Sequence, residues 1–259
     1  MQAPAVPHDL AQFACATLEH LRARAPRVHC ITNAVAQNFT ANVLLVLSCT
    51  PSMTLSSEEI VGFVGGSDAL LVNLGTFDAE RREATELAIK AAAGKTVPWV
   101  LDPVFVDRSQ PRAVFAGSLV AHGPKIVRLN RAEFAALAGA QASPETLAAF
   151  AQKNKLTVGL SGETDMVADG TQFARIANGH ALMSRVTAMG CAASAITAAC
   201  LAVEPDAFRA AVAAFVIVGV AGELAGESAR GPGSFAVAIL DALFNLDAAT
   251  LNTRARVTV

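Results

Sequence analysis

The stretch DALLVNLGTFDAERREATELAIKAAAGKTVPWVLDPV, residues 68–104, decides how the chain is read. DALLVNL is an unbroken apolar run closed by Gly75-Thr76, the mark of a strand buried on both faces. DAERREATELAIKAAAG reads as a helix, with Asp78 as its N-cap and Gly94 as its end. VPWVLDPV (97–104) is the next buried strand, with Asp102 at its carboxyl end. A strand, a helix and a second strand at this spacing predict a parallel βαβ unit.

The same rhythm extends to both sides. Upstream, residues 9–25 predict a helix stopped by Pro26, VHCIT (28–32) a strand, and NAVAQNFTANVLLVL (33–47) a helix. A short strand follows around Met53, and SSEE (56–59) opens a helix through an N-cap serine and an acidic first turn. Downstream, KIVRLN (125–130) and LTVGLSG (156–162) are strands, and RAEFAALAG (131–139) is a helix ended by Gly139. MVADGTQFARIAN (166–178) breaks the rhythm, because Asp169-Gly170 between two alternating runs signals a hairpin. Residues 190 to about 248 read as helical. The fold class is α/β: a mostly parallel central sheet with helices on both faces and an antiparallel hairpin at the edge, as a single domain spanning 1–259.

Composition narrows the function. Hydrophobic residues make up 53% and charged residues 16%, against a usual charged share of about 25%. So little surface charge points to self-association. Net charge is −2 and no Lys/Arg cluster appears, so nucleic acid is not an expected partner. Arg81-Arg82 and Arg254/Arg256 read as solvated helix face and chain end. The five scattered cysteines have no metal-ligand spacing and read as reduced thiols, and His8, His20, His29, His122 and His180 form no spaced pair for zinc. MQAPAVPHDLAQ lacks a basic region followed by an apolar one, so no signal peptide and a cytoplasmic location are expected. VTAMGCAASAITAACLAV (186–203) carries no charge over the length a membrane span needs, about 18 residues. Its Ala, Thr, Ser and Gly content argues against a span, since alanine contributes little apolar transfer energy.

In open parallel sheets ligands sit beyond the carboxyl ends of the strands. Asn33, Met53, Asn73 to Thr76, Asp102, Arg128 with Asn130 and Glu133, and Ser161 to Glu163 all fall there. Asp102 could hold Mg²⁺ or accept backbone N–H groups in the turn before Pro103. Glu133 could be a second acid near that metal or a favourable charge in a helix first turn. Arg128, inside an apolar strand, needs an internal carboxylate or a ligand phosphate. Met53 could be core or the wall of an apolar pocket. Thr187 to Gly190 sit between an extended segment and a helix, where a turn would aim backbone N–H groups at an anion. Cys191 then falls in the first helical turn, either as a thiol of lowered pKa able to act as a base or as small core filler, the role expected of Cys200.

ITNAVAQNFTAN, TPSM, ALLVNLGT, WVLDPV, RLNRAE, SGETD and NGHALMSRVTAMGCAASA, in this order, resemble hydroxyethylthiazole kinases of the ribokinase-like superfamily, over about residues 28–240. The resemblance implies phosphorylation of the hydroxyethyl group of 4-methyl-5-(2-hydroxyethyl)thiazole in thiamine biosynthesis and salvage, with ATP and Mg²⁺, by a homotrimer whose active sites lie near subunit contacts. It implies thiazole contacts from Met53 and Ala188, with Asn33 and Gly75 lining the pocket, and ATP contacts from Arg128 and Ser161. It places Asp102 and Glu133 around the metal and phosphates, Gly190 in an anion hole, and Cys191 where related kinases carry a catalytic aspartate. Four positions depart from the family's usual residues: Ala188-Met189 for Gly-Thr, Ser161 for Thr and Ala181 for Pro. If position 188 needs φ > 0, its Cβ costs about 1 kcal/mol or more, and Met189 adds bulk near the phosphate path. The alternatives are a hydroxymethylpyrimidine-type kinase and a catalytically weak thiazole-binding homologue.

Overall fold

The computed structural model describes residues 7–259. Residues 1–6 of the stretch read for a targeting signal, and the His8 side chain, lie outside the described residues. The amino-terminal half runs α1 (Pro7–Arg24), β1 (Arg27–Ile31), α2 (Gln37–Val46), β2 (Thr50–Ser52), α3 (Ile60–Gly65), β3 (Ala69–Asn73), α4 (Ala79–Lys95), β4 (Trp99–Asp102) and α5 (Gln110–Val120). Then come β5 (Ile126–Asn130), α6 (Arg131–Ala138), α7 (Pro144–Asn154), β6 (Thr157–Ser161), β7 (Asp165–Ala168) and β8 (Phe173–Ile176). A short 3₁₀ turn (Ala181–Arg185) leads to α8 (Met189–Val203), α9 (Ala207–Ser228), α10 (Pro232–Asn245), α11 (Ala248–Arg254) and β9 (Val257–Thr258).

The strands form one sheet in the order β2-β1-β3-β4-β5-β6-β7-β8-β9. The first six in that order are parallel, and β7, β8 and β9 are antiparallel to their neighbours. Each apolar strand run divides by alternation between two cores. Ala69 and Leu71 of β3 face one core with residues of α1, α2, α8, α9 and α10, while Leu70 and Val72 face the other with residues of α4, α5 and α7. That is why these strands read as continuous rather than alternating hydrophobic segments. The predicted hairpin is β7–β8, its turn made by Gly170 at φ 95° and by Asp169, whose Oδ1 accepts from the Thr171 and Gln172 amides.

Several local expectations are corrected. Gly94 does not end α4; the helix runs one residue further and closes on Thr96 at φ 56°. A Cβ at Gly94 would meet nothing within 4 Å, so its backbone has no need of a glycine. Ser56 starts a turn whose carbonyl accepts from the Glu59 and Ile60 amides, and α3 begins only at Ile60. Chain-end residues 257–258 form β9, the outer strand of the sheet. Arg81 is largely buried, bonded to Asp78 and to the Thr32 carbonyl, and Arg256 pairs with Glu223; neither is a free solvated charge. The alanine-rich run forms the 15-residue α8, buried along most of its length. Among the described residues α9 alone is long and apolar enough to cross a membrane by itself, and 78% of its apolar window is buried inside the protein.

Candidate active site

The carboxyl ends of β1, β3, β4 and β5 face the start of α8, and side chains from all five form one hydrogen-bonded ring. Asn33 Nδ2 donates to Cys191 Sγ (3.1 Å) and to Asn73 Oδ1 (3.3 Å). Asn73 Nδ2 donates to Asp102 Oδ2 (2.7 Å), and so does the Ser194 hydroxyl (2.7 Å). Arg128 Nη1 closes the ring on Ser194 Oγ (3.4 Å) and on the Gly190 carbonyl (3.1 Å). Gly75 packs so tightly here that a Cβ on it would lie 2.6 Å from Asn33 Nδ2 and 2.9 Å from Asn73 Oδ1.

The entrance to α8 has the turn that an anion site needs. Ala188 takes the left-handed conformation, φ 72° and ψ −4°, and its carbonyl accepts the first helical bond, from Ala192 (2.9 Å). The amides of Gly190 and Cys191, orphaned by the helix start, have no acceptor among the described residues. They sit beside the Arg128 guanidinium, which lies 5.2 Å from the Phe215 ring centroid and forms no ion pair with a carboxylate among the described residues. The positive end of the α8 dipole adds to this field. A cavity of about 590 Å³ opens here, lined by Arg128, Ser161, Gly190, Asp165, Asn178 and Phe215 among others.

Electrostatics separate the two central groups. Burial pushes the Asp102 carboxyl up to about 6, against the opposing pull of Arg128 and with a further push from Glu133. Burial also pushes the Cys191 thiol up, to about 11, helped by the Asp102 charge and opposed by hydrogen bonds from Asn73 and Asn33. The expected lowering of the Cys191 pKa is therefore corrected: helix-start placement is outweighed by desolvation and a neighbouring carboxylate. Burial raises Asp165 to about 6 as well, although Gly162 N–H and Arg128 favour its ionised form.

The profile of the "Hydroxyethylthiazole kinase family" matches residues 18–249. The chain belongs to the hydroxyethylthiazole kinase family. A protein of this family from Akkermansia muciniphila, named hydroxyethylthiazole kinase, is 41% identical, the match covering 96% of this chain and 97% of that protein. A probable hydroxyethylthiazole kinase from Agrobacterium fabrum is 43% identical over 93% of this chain and 92% of its own. Among solved structures, a hydroxyethylthiazole kinase protein from Pyrococcus horikoshii OT3 superposes with a TM-score of 0.92 at 34% identity, over 95% and 98% of the two chains. A ribokinase-like superfamily protein from Enterococcus faecalis V583 shares the fold alone, with a TM-score of 0.69 at 11% identity. The architecture is thus ribokinase-like.

Within this hydroxyethylthiazole kinase family member, the residues read as a site fall into three groups. Asn33, Gly75, Asp102, Arg128, Gly190 and Cys191 meet in the ring and its immediate border. Ser161 lines the cavity, its hydroxyl on the Leu129 carbonyl (3.3 Å). Glu133 and Met53 stand outside the ring. Glu133 Oε2 accepts the Asn130 amide (2.9 Å) in a capping box, and Oε1 accepts the Phe105 amide (3.0 Å). It therefore ties α6 to the turn after Asp102, where Phe105 sits at φ 62°. Met53 packs half-buried against the α8–α9 core. Its two neighbours are held by His29, whose Nε2–H donates to the Thr54 carbonyl (3.1 Å) while Nδ1 accepts from Ser52 Oγ (2.8 Å). Burial lowers the His29 pKa to about 4, so this ring is neutral. Met189 is buried in the core, with part of its surface on the cavity wall, rather than projecting freely across the phosphate path.

Sequence reading missed Ser194, which links Asp102 to Arg128. The available signal was a hydroxyl one turn after Gly190 in an alanine-rich helix. It also gave no role to Asp165 and Asn178 on the cavity wall, although they stand at the end of SGETD and the start of NGHALMSRV.

The ring can accept a divalent cation, though only in part from protein. No cluster of three or more His, Cys, Asp or Glu side chains occurs among the described residues. Asp102 Oδ1 takes no hydrogen bond there, in contrast to Oδ2 with its two donors. One carboxylate oxygen free of hydrogen bonds matches how Mg²⁺ is usually held, by one or two carboxylates together with substrate phosphates and water, and the unpartnered amides suit the phosphates.

Proposed function

We propose that this chain is a single-domain cytoplasmic enzyme that transfers the ATP γ-phosphoryl group to the hydroxyethyl group of 4-methyl-5-(2-hydroxyethyl)thiazole, in thiamine biosynthesis or salvage. One observation carries the reading: the Arg128 guanidinium and the half-buried Cys191 thiol are linked through Asn33, Asn73, Asp102 and Ser194 in one ring, beside the unpartnered amides of Gly190 and Cys191.

Arg128, Ser161 and Gly190 bind the nucleotide, with its phosphates between the guanidinium and the α8 amides. These donors are already in place and act on the charge that spreads over the transferred group in a loose transition state. Asn33, Gly75, Met53 and Ala188 form the thiazole side. Asn33 spans both functions, because its amide fixes Cys191 Sγ. Asp102 would hold Mg²⁺, its Oδ2 being taken by Asn73 and Ser194. Glu133 would act around the metal and phosphates by fixing the turn after Asp102, its negative charge favouring the cation. When bound, Mg²⁺ supplies positive charge to the phosphates and offsets the Asp102 charge that helps hold up the Cys191 pKa.

Cys191 keeps its proton in the ligand-free protein and holds the acceptor hydroxyl in line. It would release that proton to solvent as Mg-ATP binds and offsets the Asp102 charge, and the thiolate then takes the alcohol proton late, when the new P–O bond is nearly formed. Such a base contributes typically about 10²–10⁴-fold. The exposed Val35, Leu45, Val61 and Phe63 lie on or beside α2 and α3, close in sequence to Asn33 and Met53. They support a homotrimer with sites at subunit contacts, which light scattering in solution tests.

The deciding assay combines purified protein, Mg-ATP and a panel of alcohols including hydroxyethylthiazole and hydroxymethylpyrimidine, followed by mass. Formation of the thiazole phosphate at the highest kcat/KM is expected. Preference for the pyrimidine alcohol, or thiazole binding without ATP turnover, would overturn the proposal.

A further inference from the structure

One wall of the 590 Å³ cavity is the segment 178–184, and it is not held by the sheet's core packing alone. It lies directly on the backbone of α9. Gly219, Gly222 and Gly226 fall at helical spacing on one face of α9. A Cβ on them would approach Asn178 Cβ to 2.7 Å, Met183 Sδ to 2.6 Å and the His180 ring to 2.5 Å. Between these glycines, Glu223 turns a mostly buried carboxylate onto the same segment. Its Oε1 accepts from Asn178 Nδ2 (3.0 Å) and from the Gly179 amide (3.0 Å).

The chain end completes the clamp. The Arg256 guanidinium pairs with both Glu223 oxygens and donates to the Ala177 carbonyl (2.6 Å). The Arg256 amide donates to Asn178 Oδ1 (2.7 Å), and Asn178 Nδ2 also donates to the Arg254 carbonyl (2.8 Å). Asn178 is buried, and both ends of its amide are consumed by Glu223 and the last turn of the chain. Its side chain therefore serves to place the backbone of 178–180 at the cavity, not to meet a ligand.

We infer that Glu223 and Arg256 are positioning residues for the nucleotide: they set the cavity wall 178–184, so the carboxyl-terminal segment before β9 governs nucleotide affinity while the Cys191–Asp102 ring governs chemistry. The inference rests on the reading that this cavity takes ATP. Arg256 lies at the surface, about half exposed, immediately before the two-residue edge strand β9, so its loss loosens the wall without opening a core.

The experiment compares wild type, Arg256→Ala, Arg256→Lys and Glu223→Gln. Binding of a non-hydrolysable ATP analogue with Mg²⁺ is titrated calorimetrically without thiazole, and KM for each substrate and kcat are measured separately. Arg256→Ala is expected to raise the analogue Kd and the KM for ATP about tenfold, the scale of losing a charge-assisted hydrogen bond. Its kcat and thiazole KM should stay within about twofold, and Arg256→Lys should recover part of the loss because it keeps the charge but not the fork. Should Arg256→Ala fold poorly, Gly222→Ala, which displaces Met183 from within the helix, is read in the same way. Equal analogue affinity in wild type and variants overturns the inference, as does a fall in kcat with unchanged KM for ATP. A wild type that binds the analogue and phosphorylates no thiazole refutes the proposed activity and leaves this inference to the binding data. A wild type that binds no nucleotide refutes both.

Discussion

Ala188 holds φ 72° and ψ −4° at the entrance to α8, with its carbonyl accepting from Ala192, and its neighbours Gly190 and Cys191 present the unpartnered amides. The pair Ala188→Gly and Ala188→Val tests whether this turn is obligatory. An alanine in the left-handed region costs about 1–2 kcal/mol relative to the ordinary helical region, and glycine is free of that cost. Glycine also widens the unfolded ensemble, which offsets about 0.4–1 kcal/mol of the gain. The net expectation for Ala188→Gly is stabilisation of about 0.5 kcal/mol. That is a rise of about 1–2 °C in Tm, taking about 2–4 °C per kcal/mol for a chain of this length. A β-branched side chain tolerates φ > 0 worse than alanine, so Ala188→Val should lose about 1 kcal/mol or more. If the amides at 190 and 191 act on the phosphoryl group, Val also lowers kcat, while Gly keeps or raises it. Calorimetric Tm and steady-state rates on the same preparations check both. A valine variant with unchanged Tm and kcat would show that the turn relaxes to φ < 0, and the anion site built on it would fall.

Cys191→Ala should lower kcat by about 10²–10⁴-fold, and an unchanged kcat removes the base. In the ligand-free protein, site-resolved alkylation of Cys191 should keep rising with pH beyond 9, because burial and Asp102 hold the thiol near 11; a plateau near pH 8 contradicts this. Asp102 has a folded pKa of about 6, raised above its unfolded value of about 3.9. Between those values the folded protein holds a proton that the unfolded chain has released. Stability therefore falls as pH rises from about 4 to about 6 and stays lower above that. Asp102→Asn should abolish Mg²⁺-dependent turnover, yet stabilise the protein at pH 7 by up to about 2 kcal/mol and hardly at all at pH 4. Urea titrations at the two pH values decide this, and equal effects at both sink the argument. Gly75→Ala puts a Cβ within 2.6 Å of Asn33 Nδ2. Overpacking should cost about 1–3 kcal/mol and raise the thiazole KM more than the ATP KM, which the kinetic split measures.

The strand-helix alternation, the DG hairpin and Gly139 as a helix end were legible because each is a local rule: apolar period, turn chemistry, positive φ. Asp102, Arg128, Gly190 and Cys191 stood out for a similar reason: an acid at the end of an apolar run, a charge inside one, and a glycine and a thiol at a helix start. Thr96 was not legible as a helix end, since nothing in its own chemistry favours φ 56° over the Gly94 two residues earlier. The strand β9 was not legible either, because two residues carry no periodicity and gain their place only by pairing with β8.

The sequence by itself determined the α/β class, the family and the stations where polar groups gather, all of which follow from short-range pattern. Only the tertiary structure decided what those groups experience. Cys191 lies at a helix start, which lowers a thiol pKa, yet burial and an aspartate from β4, 89 positions away, raise it. Glu133 became a double cap because the Phe105 amide, 28 residues away, folds back onto it. Arg256, at a chain end that reads as solvent, became part of a cavity wall through Glu223, 33 residues earlier. Desolvation and long-range charge depend on which distant segments arrive together, and no local pattern carries that information.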